Sequence, residues 1–130
     1  MSKVRPFLMF QGKAEEAMTT YVALIPDSEI VAFERYGPDK PDAKGKIQRA
    51  LFRLAGQEVQ CFDSPVPHAF DFTPSFSFFV DCNADEEIER YVAALLEGGQ
   101  ALMPLDSYGF SRRFAWLKDR FGMSWQFNLA

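Results

Sequence analysis

The chain has 130 residues, enough for one domain with a sizeable apolar core. Its 14 Lys and Arg residues against 18 Asp and Glu residues give a net charge of −4, and the basic residues are scattered along the chain. This charge pattern argues against binding to nucleic acid or to an anionic membrane surface. The 14 Phe residues raise the aromatic share to 15%, which indicates that aromatic side chains line something besides the core.

The first half of the chain carries the patterns of one helix and four strands. The apolar stretch PFLMF predicts a strand. Apolar residues at helical spacing in QGKAEEAMTTYVALI predict a helix that ends at Pro26. The stretches IVAFERY, KIQRALFRL and EVQCFD then predict three strands, with a loop rich in Gly, Pro and Asp after the first of them.

The same order of elements recurs after the loop SPVPHAFDFTP. SFSFFVDC predicts a strand, and DEEIERYVAALLEGG predicts a helix with Asn83 or Asp85 as its N-terminal cap. ALMPLDSYG, FSRRFAWLKDR and MSWQFNLA predict three further strands. The sequence therefore predicts a single α+β domain of two repeated βαβββ modules, at about residues 1–64 and 74–130, joined by loop 65–73.

The last predicted strand separates apolar from polar side chains. Successive residues of a strand point to opposite faces, so Trp125, Phe127 and Leu129 share one face, which we assign to the core. The other face belongs either to solvent or to a ligand site. It carries three polar residues: Ser124, Gln126 and Asn128.

Several stretches together resemble one protein family: FQGKAEEAM, the Lys44-Gly45 pair, AGQEVQCFDSPVPHAFDFTPSFSFFV and DRFGMSWQFNL. They are similar to the PhnB-like branch of the glyoxalase/bleomycin-resistance (vicinal oxygen chelate) superfamily, a branch often labelled 3-demethylubiquinone methyltransferase-like. The resemblance covers essentially the whole chain. It implies paired βαβββ modules whose curved antiparallel or mixed sheets enclose a cavity, usually in a homodimer.

The methyltransferase activity in that label is not expected for this chain. S-adenosylmethionine is ordinarily held by a Gly-rich turn between a strand and a helix in a doubly wound parallel sheet. No such Gly-rich stretch follows a predicted strand, and the parallel alternation of strands and helices is missing. We therefore leave the enzymatic activity open.

Metal-dependent members of the superfamily place ligands on the first and last strands of each module, and the resemblance maps these positions to Pro6, Gln60, Ser75 and Gln126. Pro6 has no ligand atom, Ser75 is a poor neutral ligand, and the glutamines offer only carbonyl oxygens. Neighbouring positions on the same strands supply nothing better: Leu8, Phe10, Phe62, Ser77 and Phe79. We therefore expect no Zn²⁺, Fe²⁺ or Ni²⁺ at these positions, and no cofactor.

An amide pair on an aromatic wall suits hydrogen bonding to a neutral or weakly polar small organic ligand, and Gln60 and Gln126 form the centre of this candidate site. The alternative is that the two amides bond each other, loop backbone or water. The aromatic residues fit a core or a dimer interface equally well. The remaining candidate ligand-binding residues are Ser75, Phe62, Tyr108 and Trp116.

Other reactive side chains have two interpretations each. His68 serves either acid–base catalysis or a hydrogen bond that orders its loop. Cys61 faces the helix side of its strand and is expected to be inert, whereas the N-terminus of the second helix is expected to lower the pKa of Cys82. Two arginine pairs on equivalent strands serve either as clamps for an anionic ligand or as partners in surface salt bridges: Arg49 with Arg53, and Arg112 with Arg113.

Three functions stay open after this reading. The first is a homodimeric small-molecule-binding protein or metal-independent enzyme of unknown substrate. The second is a metal-dependent lyase, isomerase or dioxygenase whose ligands lie at other positions. The third is a drug-sequestering resistance protein whose acidic, aromatic cavity attracts a planar cation. With only two cysteines, no N-terminal signal pattern and no apolar run of about 20 residues, we expect a cytoplasmic protein with reduced thiols.

Overall fold

The computed structural model describes all of residues 1–130, which form two compact units, Met1–Ala69 (unit 1) and Phe70–Ala130 (unit 2). Each unit contains one helix and a four-stranded sheet, in the order strand, helix, strand, strand, strand. The predicted α+β class is confirmed. The division between the units falls inside the predicted connecting segment 65–73.

Unit 1 is built from five elements: β1 (Phe7–Phe10), α1 (Ala14–Leu24), β2 (Glu29–Arg35), β3 (Ile47–Leu54) and β4 (Gln57–Asp63). The strand order is β1-β4-β3-β2, with β1 parallel to β4 and the other neighbours antiparallel. Helix α1 packs on one face of this sheet and buries Ala17, Met18 and Tyr21, which lie at helical spacing. We call the face opposite the helix the open face of the unit.

Unit 2 repeats this arrangement with β5 (Ser77–Asp81), α2 (Asp85–Leu96), β6 (Gln100–Tyr108), β7 (Ser111–Lys118) and β8 (Ser124–Leu129). The strand order is β5-β8-β7-β6, and β5 runs parallel to β8. Helix α2 covers one face of the sheet, where the Tyr91 ring lies 5.8 Å from the Phe127 ring. Neither helix has the length and apolar content needed to span a membrane.

The alternation predicted for the last strand is present in β8. Trp125, Phe127 and Leu129 are buried on the helix side of the sheet. Gln126 and Asn128 are half-buried on the open face of unit 2. The core assignment of the apolar face is thus confirmed, and the polar face needs a separate explanation.

A buried carboxylate joins three elements of unit 1. Asp63, at the end of β4, is 2% exposed. Its Oδ1 accepts hydrogen bonds from the backbone N–H groups of Gly12 (2.8 Å) and Ala14 (2.9 Å), and its Oδ2 accepts one from Ile47 (3.0 Å). Lys13, the N-cap residue of α1, supplies no side-chain cap. Asp63, 49 positions after Ala14, caps this helix N-terminus instead.

Asp119 has a similar role at the turn between β7 and β8 of unit 2. Its Oδ1 accepts the backbone N–H groups of Phe121 (2.9 Å) and Met123 (3.0 Å). Its Oδ2 accepts the indole N–H of Trp125 at 2.9 Å. Because these donors are fixed in the turn and in β8, the carboxylate sets where the last strand begins.

The predicted cap of α2 is wrong. The N-cap residue is Ala84, which supplies no side-chain hydrogen bond. Instead, the Glu87 carboxylate accepts the backbone N–H of Asn83 at 2.8 Å. Asp85 is the first helical residue and is held by Arg113, whose hydrogen bond lowers the pKa of that carboxyl.

Candidate functional site

Gln126 and Gln60 occupy equivalent positions in the two sheets. Gln126 of β8 lies between Phe79 of β5 and Trp116 of β7. Gln60 of β4 lies between Phe7 of β1 and Leu51 of β3. Both glutamines are half-buried on the open faces of their units.

The open face of unit 2 carries a pocket of about 420 Å³ around Gln126. Its lining contains aromatic residues, one methionine and two amides, and no charged side chain: Phe79, Met103, Phe110, Phe114, Trp116, Gln126 and Asn128. Two of these rings are well exposed, Phe79 at 55% and Phe110 at 68%. Such a lining, apolar with few polar groups, is typical of a site for a small organic molecule.

The aromatic wall of this pocket is held together by ring contacts. Phe114 lies 4.9 Å from Phe110 and 6.4 Å from Phe79, measured between ring centroids, and is itself buried. Tyr108 stacks on Phe110 at 5.8 Å, and its hydroxyl donates to the Pro104 carbonyl oxygen at 2.7 Å. Tyr108 therefore supports the wall next to the pocket, whereas Trp116 lines the pocket directly.

Below the wall, a row of hydrogen bonds crosses three strands. The Trp116 indole N–H donates to the Ser124 hydroxyl at 2.9 Å. The Ser124 and Ser77 hydroxyls lie 2.6 Å apart, and the Gln126 amide nitrogen lies 3.2 Å from the Ser77 hydroxyl. We call these four residues the polar row. Alternation along β8 indicated the place of Ser124, but no sequence signal indicated that Ser77 stands beside it.

Asn128, the second amide of the pocket, is fixed at both ends. Its amide nitrogen donates to Asp81 Oδ1 at 3.1 Å, and its Oδ1 accepts the Ser111 hydroxyl at 2.5 Å. Ser111 is buried, so this acceptor is held away from solvent. The open face of β8 is polar because its side chains bond their neighbours on β5 and β7.

The open face of unit 1 differs in its chemistry. Its pocket around Gln60 is smaller, about 180 Å³, and its lining includes Glu34 and Arg49, whose charged groups lie 3.0 Å apart. Two neutral amides at equivalent positions thus have an ion-paired environment in unit 1 and an aromatic one in unit 2.

Ion pairs extend across the rest of this face. Arg53 pairs with Glu29 and lies 3.9 Å from Glu58. Arg5 donates to Glu58 at 2.8 Å, and this hydrogen bond lowers the pKa of the Glu58 carboxyl. In unit 2, the arginines of β7 also pair with acidic residues of α2. Arg113, for example, lies 2.6 Å from the Glu89 carboxylate. The observed contacts of both predicted arginine pairs are therefore surface salt bridges.

The sequence mapping of the first strands was shifted. Ser75 lies in a turn before β5, exposed, with its hydroxyl 2.6 Å from that of Thr73; the partner of Gln126 is Phe79. Pro6 precedes β1, and the partner of Gln60 is Phe7. Pro6 was misplaced because alternation does not identify which face the helix covers, and Ser75 was misplaced because alternation does not give the register of β5 against β8.

Two neighbours of these positions clarify the register of unit 1. Leu8 of β1 is buried on the helix side, as is Phe10, so neither faces the open side with Gln60. Phe62, a predicted pocket residue, lies on the open face of unit 1, where its ring stacks on Phe7 at 5.1 Å. Phe62 and Gln60 therefore share a face, as their alternation along β4 indicates.

The residues at the superfamily ligand positions do not fit a transition metal. The positions in register are Phe7, Gln60, Phe79 and Gln126, and the two phenylalanines have no donor atom. Elsewhere in the chain, no group of three or more His, Cys, Asp and Glu side chains is arranged to hold a metal ion. A divalent transition metal requires imidazole, carboxylate or thiolate ligands, which these four positions do not offer.

His68 lies in unit 1, in the segment that follows β4. Its Nε2 is 2.9 Å from the Ser64 hydroxyl, and its backbone N–H donates to Gln11 Oε1 at 3.2 Å. Ser64 in turn lies 2.8 Å from the Val66 carbonyl oxygen. These contacts correspond to the loop-ordering interpretation of His68, and they place it outside the pockets around Gln60 and Gln126.

Both cysteines are buried free thiols. Burial raises the pKa of Cys61 to about 12, with a further contribution from Asp63. Burial also raises the pKa of Cys82 to about 12, and the carboxylates of Glu87 and Asp81 add to this effect. The expected lowering of the Cys82 pKa by the helix N-terminus is therefore wrong, because desolvation and two nearby carboxylates raise this pKa more than the backbone hydrogen bond of Asn128 lowers it.

We expect neither thiol of the folded protein to react with Ellman's reagent at about pH 8, where about one thiol in ten thousand is ionised if its pKa is about 12. Addition of denaturant should release both thiols, because the unfolded chain restores their ordinary pKa. In a Cys61→Ala variant, Cys82 is the only thiol that the reagent can label. Rapid labelling of Cys82 in the folded variant would contradict the assigned environment.

A βαβββ unit thus occurs twice in this chain, with equivalent open-face positions on its parallel strand pairs. A family model described as 3-demethylubiquinone-9 3-methyltransferase matches residues 2–128. The chain belongs to this PhnB-like family. A search of curated proteins returned no match.

Solved structures agree with this assignment. A putative 3-demethylubiquinone-9 3-methyltransferase, PhnB protein, from Bacillus cereus is 49% identical, with 99% of this chain and 100% of that chain covered and a TM-score of 0.96. Protein PA1353 from Pseudomonas aeruginosa is 28% identical, with 99% and 98% covered and a TM-score of 0.84. The fosfomycin resistance protein FosX from Listeria monocytogenes, in complex with Mn(II) and a dihydroxypropylphosphonic acid, shares the fold at 12% identity, with 98% and 92% covered and a TM-score of 0.67.

Proposed function

We propose that this protein binds a small organic molecule in the pocket around Gln126, on the open face of unit 2, and that it does so without a transition metal. One observation carries the proposal: a pocket of about 420 Å³ is lined by four aromatic rings, a methionine and two amides. Its size and lining suit a drug-sized neutral or weakly polar ligand. Catalysis is not part of this proposal, because no nucleophile or acid–base group lines the pocket.

The donor set supports the metal-free part of the proposal. Phe7 and Phe79 stand opposite the two glutamines, so an ion at either position would meet amide oxygen and aromatic ring. Elemental analysis after incubation with Zn²⁺, Ni²⁺, Mn²⁺ and Fe²⁺ tests this directly. A ratio near one ion per chain would favour a metal-dependent lyase, isomerase or dioxygenase instead.

Gln126→Ala and Gln60→Ala form a matched pair that tests the assigned site. In a thermal-shift and NMR screen of neutral aromatic compounds, we expect Gln126→Ala to weaken binding of hits by about threefold to tenfold, the value of one neutral hydrogen bond. Gln60→Ala should leave binding unchanged, since its pocket is small and ion-paired. Equal affinities of the wild type, Gln126→Ala and Gln60→Ala would mean that the ligand binds elsewhere.

We also propose that two copies associate in solution and that the protein is cytoplasmic. The family resemblance and exposed rings outside the unit 2 pocket, Phe33, Phe70 and Phe76, support association, because a second copy would remove apolar surface from water. The free thiols Cys61 and Cys82 support a reducing compartment. Sedimentation that gives a monomer at micromolar concentration would contradict the dimer.

A further inference from the structure

The polar row runs beside the unit 2 pocket, which two of its members, Trp116 and Gln126, line directly. An indole N–H only donates, so Ser124 accepts from Trp116. The Ser124 hydroxyl hydrogen is then directed to Ser77, whose oxygen lies 2.6 Å away. Donation to Ser77 is the favoured arrangement, because Ser124 is fully buried and its hydroxyl hydrogen has no other acceptor.

At the end of the polar row that meets the pocket, not every donor hydrogen has an acceptor within the chain. With the Gln126 amide nitrogen donating to Ser77 at 3.2 Å, the Ser77 hydroxyl hydrogen and one amide hydrogen have no acceptor within the chain. Because Gln126 lines the pocket, its remaining amide hydrogen is a donor available to a ligand.

The rest of the pocket selects against charge. No lining residue is ionisable, and Asp81, the nearest carboxylate along β5, is bonded to Asn128. A charged ligand would lose its hydration without meeting an opposite charge there. The exposed faces of Phe79 and Phe110 favour a flat ring system, which stacks on aromatic side chains.

We propose that the unit 2 pocket takes a neutral, flat aromatic compound that bears a carbonyl oxygen, that Gln126 donates to this oxygen, and that Ser77 positions the Gln126 amide. The inference rests on the function proposed above and adds the ligand class and the positioning role of Ser77. Unit 1 cannot provide the same site, because Phe7 and Leu51 flank Gln60 and no hydroxyl row underlies it.

Four bicyclic probes of matched size test the ligand class: 1-indanone, indane, 2-indanecarboxylate and 2-indanylammonium. We expect 1-indanone to bind about tenfold more tightly than indane, because only the ketone accepts the remaining amide hydrogen of Gln126. In ¹⁵N-labelled protein, the indole N–H signal of Trp116 should shift on binding. The indole signal of Trp125, which is buried against Asp119, serves as the internal reference.

Ser77→Ala tests the positioning of the Gln126 amide and should reduce the advantage of the ketone over indane to less than threefold. Ser75→Ala is the control, because Ser75 is exposed and bonded only to Thr73. Gln126→Leu provides the same readout if Ser77→Ala fails to fold.

The outcomes separate the two proposals. If ketone and hydrocarbon bind equally, or if Ser77→Ala and Gln126→Leu leave the preference intact, the ligand class is wrong and the binding function stands. Tighter binding of the ammonium probe would also overturn the ligand class and favour sequestration of cations. If none of the four probes shifts the Trp116 signal, both proposals fail.

Discussion

Replacement of Asp63 by alanine is expected to lower the free energy of unfolding by about 3 kcal/mol or more, which makes it one of the most damaging single substitutions in the chain. The carboxylate accepts three backbone N–H groups, from Gly12, Ala14 and Ile47, while it is 2% exposed. Removal of the side chain leaves these donors without a partner in a buried site. The measurement is urea unfolding followed by circular dichroism.

Two companion variants separate the hydrogen bonds from other causes. Asp63→Asn keeps one acceptor oxygen but turns an NH₂ group toward a backbone donor, so its stability should fall between wild type and alanine. Asp42→Ala removes an exposed carboxylate between β2 and β3 and should change the stability by less than about 0.5 kcal/mol. If Asp63→Ala were as mild as Asp42→Ala, the assigned network would be wrong.

The second large effect is expected for Gly99→Ala, at the entry to β6. A Cβ atom at this position would overlap the carbonyl oxygen of Lys118 and lie 2.9 Å from that of Leu95. Both contacts are to backbone, which relaxes only if the strand or the helix end moves. We expect a loss of about 3 kcal/mol or more in thermal or urea unfolding.

Gly109→Ala is the matched control for Gly99→Ala in the same unit. A Cβ atom at Gly109 meets nothing within 4 Å, and its backbone φ is not in the left-handed region. Its stability should stay within about 0.5 kcal/mol of wild type, with a small gain possible from the reduced freedom of the unfolded chain. Equal losses for the two glycines would contradict the assigned overlap with backbone at Gly99.

The sequence predicted the elements well because their signals are local. Helical spacing found α1 and α2, alternation found the strands, and the faces of β8 were assigned correctly from Trp125 to Leu129. Ends of elements were less accurate. The strand predicted to begin at Ser75 begins at Ser77, because Ser75 bonds to Thr73 in a turn instead of joining the sheet.

The site was predictable only in part, because its chemistry depends on pairing between distant strands. Gln126 and Trp116 were named from the sequence, and they lie in the same pocket. Ser77 was considered only as a metal ligand, since its place beside Ser124 follows from the register of β5 and β8, 47 residues apart. For the same reason, no pattern revealed that Asp63 caps a helix 49 residues earlier.

The position of β8 in its sheet has a consequence for biosynthesis. β8 is the last strand of unit 2 to leave the ribosome, yet it lies between β5 and β7. Until it emerges, β5 has no strand partner and α2 lacks one of the three strands on which it packs. Unit 1 has the same constraint through β4, so we expect each sheet to be completed only after its final strand has been translated, and a nascent chain arrested before β8 to expose unpaired strand edges.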